Sequence, residues 1–268
     1  MARYLIVGHV TRDILTKGFR YGGAVLYGGL TARRLGFDTY VVTASAEKDL
    51  EEIFSELKFF HFLGPQTTVF ENIETPRGRR QRVLAVADPI PIRDLPSTWR
   101  RADLVHIAPV LNEISPPEAA LFETDFLVAN PQGWFRRIDL DGKVIPYRPD
   151  LSHAPRFKAL VVSEEDIGAR QEIVEDLNKI SEILVITKGA EGALLYEKGK
   201  ETFFEASPIK AKDTVGAGDI LAAAFFGALY AQKPPSEALR FAMCLARLSV
   251  TREGLASVPT REEISSCF

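Results

Sequence analysis

Apolar positions fall along this chain in short runs, each ending near polar residues. Arg3 to Val10 is apolar and β-branched around Gly8-His9, which predicts a buried first strand. Gly22-Gly23 opens a small-residue helix from about Ala24 to Leu35, closed by Gly36. Val41 to Ala44 reads as the next buried strand. Later come Asp103 to Ile107, Phe126 to Asn130, Ala159 to Ser163 and Ile183 to Thr187. Between the last two lies a helical stretch, Ala169 to Ser181. Strands alternating with helices predict a parallel sheet with helical crossovers. Ala193 to Tyr196 and Thr202 to Ala206 form a predicted hairpin around Lys198-Gly199. Helices follow from Gly216 to about Ala231 and from Ser236 to about Thr251, with a short one starting at Thr260.

One segment breaks this alternation. Thr67 to Ile73 and Arg79 to Val86 are β-prone and are separated by Pro76-Arg77-Gly78, a hairpin signal. Their polar content predicts a partly exposed sheet, joined by a strand near Lys17 to Tyr21. Residues 17–21 and 67–86 are therefore expected to form a small lid on a single domain spanning 1–268. An exposed lid sheet must be covered, which makes a homodimer through the lid an expectation.

Composition narrows the classes. With 46% hydrophobic residues in 268, a substantial core is available. The net charge of −3 gives no electrostatic footprint for nucleic acid. No apolar run approaches the ~18 residues of a membrane span, and the N-terminus lacks the apolar region of a signal peptide. Cys244 and Cys267 form no metal-ligand spacing, and a reducing cytoplasm fits them.

The chemistry concentrates in Asp213-Thr214-Val215-Gly216-Ala217-Gly218-Asp219, followed by an apolar helix. Glycines allow the backbone to approach a ligand. A helix N-terminus presents unpaired N–H groups and favours negative charge, which suits a phosphoryl group in transfer. Asp219 in the first turn can accept the proton of an attacking hydroxyl. An aspartate at a helix start is by itself an ordinary cap; the whole string says more. It resembles the C-terminal signature of the PfkB (ribokinase-like) carbohydrate kinases, and a P-loop motif is absent.

That resemblance extends over nearly the whole chain. It implies a three-layer α/β/α sandwich with a mainly parallel central sheet and a small β-sheet lid. It also implies ATP as phosphoryl donor with Mg2+. Asp219 would be the base, and the N–H groups of Gly216, Ala217 and Gly218 an anion hole. Gly8-x4-Asp13 resembles the family's first strand and substrate-binding aspartate, and Gly22-Gly23 resembles its di-glycine hinge. Tyr27 stands where family members often carry Asn, so the pocket differs from a ribose pocket. Thr187-Lys188-Gly189-Ala190-Glu191-Gly192 resembles the nucleotide loop, with Thr187, Gly189 and Gly192, together with Asp213 and Thr214, on the donor. The family's Asn-x-x-Glu, which organises magnesium, is here Ser163-Glu164-Glu165-Asp166, so Ser163 and Asp166 occupy the metal positions.

Substrate clues lie in Asn130-Pro131-Gln132-Gly133-Trp134-Phe135-Arg136. A similar Gln-Gly-aromatic-x-Arg string occurs in the branch that includes inositol kinases, and Ala87-Asp88-Pro89 also resembles that branch. Gln132 can pair with hydroxyls and Arg136 can clamp a phosphate. A small sugar or a cyclitol such as myo-inositol is thus the expected acceptor. The competing readings are a nucleoside kinase of the same family, a non-catalytic metabolite-binding homologue, and an interaction protein that uses its lid.

Overall fold

The apolar runs become strands because their residues are buried on both faces. The computed structural model describes residues 1–75, 78–168 and 170–268. In chain order it begins with β1 (Arg3–Val7), β2 (Thr11–Ile14), β3 (Phe19–Gly22), α1 (Ala24–Arg34), β4 (Asp38–Ser45), α2 (Leu50–Ile53) and β5 (Lys58–Leu63). β6 (Thr68–Thr75), β7 (Gly78–Ala85), α3 (Ser97–Arg100), β8 (Leu104–Ile107), β9 (Leu127–Ala129), β10 (Arg136–Ile138) and β11 (Val144–Pro146) follow. The C-terminal half contains β12 (Phe157–Ser163), α4 (Glu164–Ile167), α5 (Gln171–Ile180), β13 (Ser181–Thr187), β14 (Gly192–Glu197) and β15 (Lys200–Glu205). It ends with α6 (Ala217–Tyr230), α7 (Pro235–Ser249) and α8 (Arg261–Cys267).

A nine-stranded sheet has the order β15-β14-β13-β12-β9-β8-β1-β4-β5. Its strands are parallel from β5 to β13, and β14 and β15 add an antiparallel hairpin. Period-two alternation sorts the side chains of β1 between two cores. Tyr4 and Ile6 pack with α1, α6 and α7, whereas Leu5 and Val7 face a layer holding Ile92, Trp134, Phe135, Ile173 and Leu177. This is a three-layer α/β/α arrangement. Helix α6 is apolar all round, and every residue from Ile220 to Leu229 is buried. Gly28 lets α1 lie close to it: a Cβ there would come within 3.0 Å of Ile6 and 3.6 Å of the Asp219 carbonyl.

The lid is a separate four-stranded sheet, β3-β2-β6-β7. Its expected turn at Pro76-Arg77 lies outside the described residues, as does Ala169 at the expected start of α5. Strands outside the expectation are β2, β5 and the antiparallel pair β10–β11. The first apolar run ends at Val7, and Thr11–Ile14 leaves the main sheet to pair with β3 and β6, so Asp13 sits on a lid strand. Lys58–Leu63 forms the outer edge strand, where only partial burial is required and His61 interrupts the apolar pattern. Buried Glu47 ties the lid to the sheet by accepting hydrogen bonds from Arg12 (2.5 Å), Thr67 (2.6 Å) and Tyr21 (2.9 Å). Burial alone would raise its pKa, but these three bonds together hold the carboxyl below its ordinary value.

At the C-terminus a Thr260/Glu263 capping box starts α8. Cys267 at its end is disulfide-bonded to Cys244 of α7, across 23 residues of sequence. Among the described residues no helix is long and apolar enough to cross a membrane.

Candidate active site

Several expected residues converge beyond the carboxyl ends of the parallel strands, where open α/β sheets place ligands. Asn130 follows β9, Ser163 ends β12, and Thr187 ends β13 in direct register with Ser163. The Asp213–Asp219 turn meets them from the side of α6.

Gly216 is the N-cap of α6 with φ of 80°, a left-handed conformation that favours glycine. It also lies flat on the Tyr27 ring, so a Cβ would fall 2.6 Å from two ring carbons. Asp213 braces the turn by accepting from the Val215 N–H at 3.0 Å and from Arg20 of β3 at 2.5 Å. Arg20 also approaches Asp13 at 3.7 Å, joining lid and turn through one guanidinium. Of the three expected anion-hole donors, the Ala217 N–H turns back to the Thr214 carbonyl at 3.3 Å. Gly218 faces open space; a Cβ there would meet nothing within 4 Å.

Asp219 occupies the first turn of α6, partly open to solvent. Its Oδ1 accepts from Asn130 Nδ2 at 3.0 Å. Desolvation pushes its pKa up to about 7. The charge of Arg136 and the Asn130 hydrogen bond oppose that rise, and Asp166 and Asp13 add to it. A carboxylate poised near neutral pH is suited to accept a proton.

The remaining expected residues divide. Asp166, expected on magnesium, pairs with two of the residues expected on substrate: Arg136 at 3.0 Å and Gln132 at 3.2 Å. Ser163 caps α4 by accepting from the Glu165 N–H at 3.2 Å. Both positions are thus engaged by protein, and no group of three or more His, Cys, Asp or Glu suited to a metal occurs among the described residues. The pair does not fit as a magnesium cage. Gly189 has positive φ and nothing near its missing Cβ, whereas a Cβ at Gly192 would collide with the Phe204 carbonyl of the β14–β15 hairpin. Gly192 therefore has a structural requirement of its own. Lys188 pairs with Glu164 at 2.8 Å, and the Thr187 hydroxyl donates to the Val162 carbonyl at 3.3 Å. Gly23 starts α1 against the His9 carbonyl, and a Cβ on Gly22 would lie 3.1 Å from the Asp13 carboxylate. Tyr27 is buried, and among the described residues its hydroxyl has no hydrogen-bond partner. Desolvation raises its pKa to about 12.

Residues 150–261, which contain the glycine turn and Asp219, match the pfkB family carbohydrate kinase profile. That stretch, less than half of the chain, is similar to the PfkB carbohydrate kinases. Ribokinase of Haemophilus influenzae is 40% identical over 116 residues, 43% of this chain and 38% of that protein. The 5-dehydro-2-deoxygluconokinase of Listeria innocua is 35% identical over 107 residues, 38% of this chain and 33% of that protein. The matched stretch is thus well under half of either relative. Likeness of fold spans the whole chain. A pyrophosphate-dependent ribokinase-family kinase, solved with a pyrophosphate analogue and myo-inositol, superposes with a TM-score of 0.82 at 21% identity, covering 98% of this chain and 99% of that one. Thermotoga maritima ribokinase gives 0.75 at 19% identity, covering 100% and 99%. The chain therefore has the ribokinase fold.

Residues that the sequence reading passed over complete the site. Asn130 appeared only as the first letter of the substrate string, yet it is the direct partner of Asp219. Arg20 was a lid residue without a role. The only sequence signal for His106 was a histidine inside an otherwise apolar strand.

Proposed function

We propose that this protein transfers a terminal phosphoryl group from ATP to a hydroxyl of a small sugar or cyclitol, myo-inositol being the leading candidate. The observation that carries this reading is Asp219: partly open, in the first turn behind a glycine turn, with its pKa lifted to about 7. The acceptor oxygen bonds to the terminal phosphorus, the bond to the leaving group breaks, and the hydroxyl proton passes to the free oxygen of Asp219. Gly218, which has no neighbour on its missing side chain, marks where the moving charge meets the helix N-terminus. Asp13, on the lid strand facing the turn, and the Tyr27 hydroxyl are the proposed acceptor contacts; for Tyr27 the reason is that buried polar groups are normally paired and this one has no partner among the described residues. Thr187, Gly189 and the Asp213–Thr214 turn line the donor side.

Pyrophosphate is the second reading for the donor. It is favoured by the chain-long likeness of fold to the pyrophosphate-dependent kinase. The reading includes a cytoplasmic setting, where the Cys244–Cys267 disulfide must withstand cellular thiols. It also includes a dimer through the lid, whose Leu15, Phe19 and Leu84 are exposed. The test is kcat/KM for myo-inositol, ribose, fructose, adenosine and cytidine, each with ATP and with pyrophosphate. A polyol is expected to win, and Tyr27→Phe is expected to raise its KM. A wide margin for a nucleoside would overturn the substrate reading. No transfer to any acceptor from either donor would favour a metabolite-binding homologue.

A further inference from the structure

A line of buried polar groups runs beneath Asp219 into the apolar layer between sheet and helices. Tyr4 Oη lies 2.8 Å from His106 Nδ1, His106 Nε2 lies 2.7 Å from Asn130 Oδ1, and Asn130 Nδ2 lies 3.0 Å from Asp219 Oδ1. Tyr4 and His106 are fully buried. They come from adjacent strands, β1 and β8, and the proposed reaction uses neither of them directly. The elements around the imidazole supply the Tyr4 phenol from β1, the Asn130 amide beyond β9, and the edge-on Phe226 ring of α6 at 4.9 Å. Around Asp219 the titratable and charged groups are Arg136, Asp166 and Asp13, with Tyr27 from α1.

The links have one self-consistent direction while Asp219 is ionised. A carboxylate only accepts, so Asn130 must present its NH2 and turn its oxygen to His106. The imidazole must then carry its proton on Nε2, which leaves Nδ1 to accept from Tyr4. Burial supports these protonation states: it depresses the His106 pKa to about 3 and raises that of Tyr4 well above its ordinary value. The reverse direction turns the Asn130 oxygen towards Asp219 and leaves the Tyr4 proton without an acceptor among the described residues. It suits only a protonated, catalytically idle Asp219.

We infer that Tyr4 and His106 are positioning residues: they lock the Asn130 amide with its N–H towards Asp219, holding one oxygen of that carboxylate and leaving the other for the acceptor hydroxyl. The inference rests on Asp219 being the base.

Its test separates the two claims. The full-length protein, 15N-labelled at histidine and 13C-labelled at aspartate, is titrated by NMR as wild type, Tyr4→Phe, His106→Leu and His106→Gln. Wild-type His106 is expected to be neutral with its proton on Nε2. Tyr4→Phe and His106→Leu are expected to raise the Asp219 midpoint, by roughly one pH unit when the charge-assisted bond is fully lost. His106→Gln, whose amide nitrogen reaches the Nε2 position and donates, is expected to restore most of the wild-type midpoint. Turnover of the best acceptor should fall about fivefold in His106→Leu near pH 7, as the ionised fraction of Asp219 drops, with KM within twofold. A proton on Nδ1, or an unmoved Asp219 midpoint in both Tyr4→Phe and His106→Leu, overturns the inference. If His106→Leu does not fold, Tyr4→Phe decides alone, because it keeps the ring and removes only the hydroxyl. Asp219→Asn, assayed in parallel, reports on the base: full activity there removes the catalytic role, whereas inactivity with unmoved midpoints rejects only the positioning.

Discussion

Asp219 combines a helix-start backbone position with a carboxyl that its surroundings keep near neutrality. Asp219→Asn keeps the shape and cannot act as a base. It should lower kcat by about 100- to 10,000-fold while donor affinity, read by calorimetry, stays close to wild type. Retention of more than about half the wild-type rate, with chemistry rate-limiting, would refute the assignment. In the wild type, kcat/KM should rise with pH and level off above about 7, because the base must be ionised. Stability should respond in the opposite sense. The folded-state pKa lies above that of an unfolded carboxyl, so the group's favourable contribution is complete below the ordinary carboxylate pKa and is lost as pH rises through about 7. The melting temperature of Asp219→Asn should therefore exceed that of wild type at pH 8. The two glycines of the turn should separate cleanly. Gly216→Ala meets the Tyr27 ring at 2.6 Å in a positive-φ position, so it should destabilise by at least about 1–2 kcal/mol. At Gly218 a Cβ meets nothing within 4 Å, so Gly218→Val should leave stability nearly intact while reducing turnover. A loss of stability in Gly218→Val comparable to that in Gly216→Ala would contradict this division.

Among the elements, α6 and α7 were legible because their apolar content and flanking Gly, Pro and cap residues agree with one another. The first sheet strands were legible because both their faces are buried. β2 and β5 were not. A four-residue strand such as β2 has too few positions to show alternation, and the edge strand β5 is buried only in part. The α7–α8 connection is another feature decided by packing, since a 23-residue separation gives no pairing signal. Replacing Cys244 and Cys267 together by serine should lower unfolding stability by about 2–4 kcal/mol. Because Asp219 is distant in sequence and α8 does not contact it in any described hydrogen bond, kcat should be preserved. Chemical denaturation and an activity assay on the same preparation check both statements; unchanged stability would mean that the bridge is not formed in solution.

At the scale of the whole molecule, the lid and the main sheet are separate hydrogen-bonded units joined by polar links that include Glu47 with Arg12, Tyr21 and Thr67, His9 with Thr68, and Arg20 with Asp213. Among the described residues the lid contributes Phe70 and Val83 to only a small apolar cluster, packed on Val110 and Leu111 beyond β8, against the two large cores of the sandwich. Amide hydrogen exchange should therefore be faster in β2, β6 and β7 than in β1, β8 and β12, and should slow when acceptor and donor are both bound. Equal protection in the ligand-free protein would argue against a lid that opens. What the sequence alone determined was the alternating α/β plan, the lid hairpin, the family resemblance and Asp219, since each is written in contiguous residues whose spacing or chemistry is local. Tertiary structure decided which distant side chains complete the site. Asn130, His106 and Tyr4 meet Asp219 only because β9, β8 and β1 are neighbours in the sheet and α6 lies across them. Asp166 turned to Arg136 and Gln132 because a buried carboxylate is stabilised by the nearest available donors, and sequence separation does not reveal which those are.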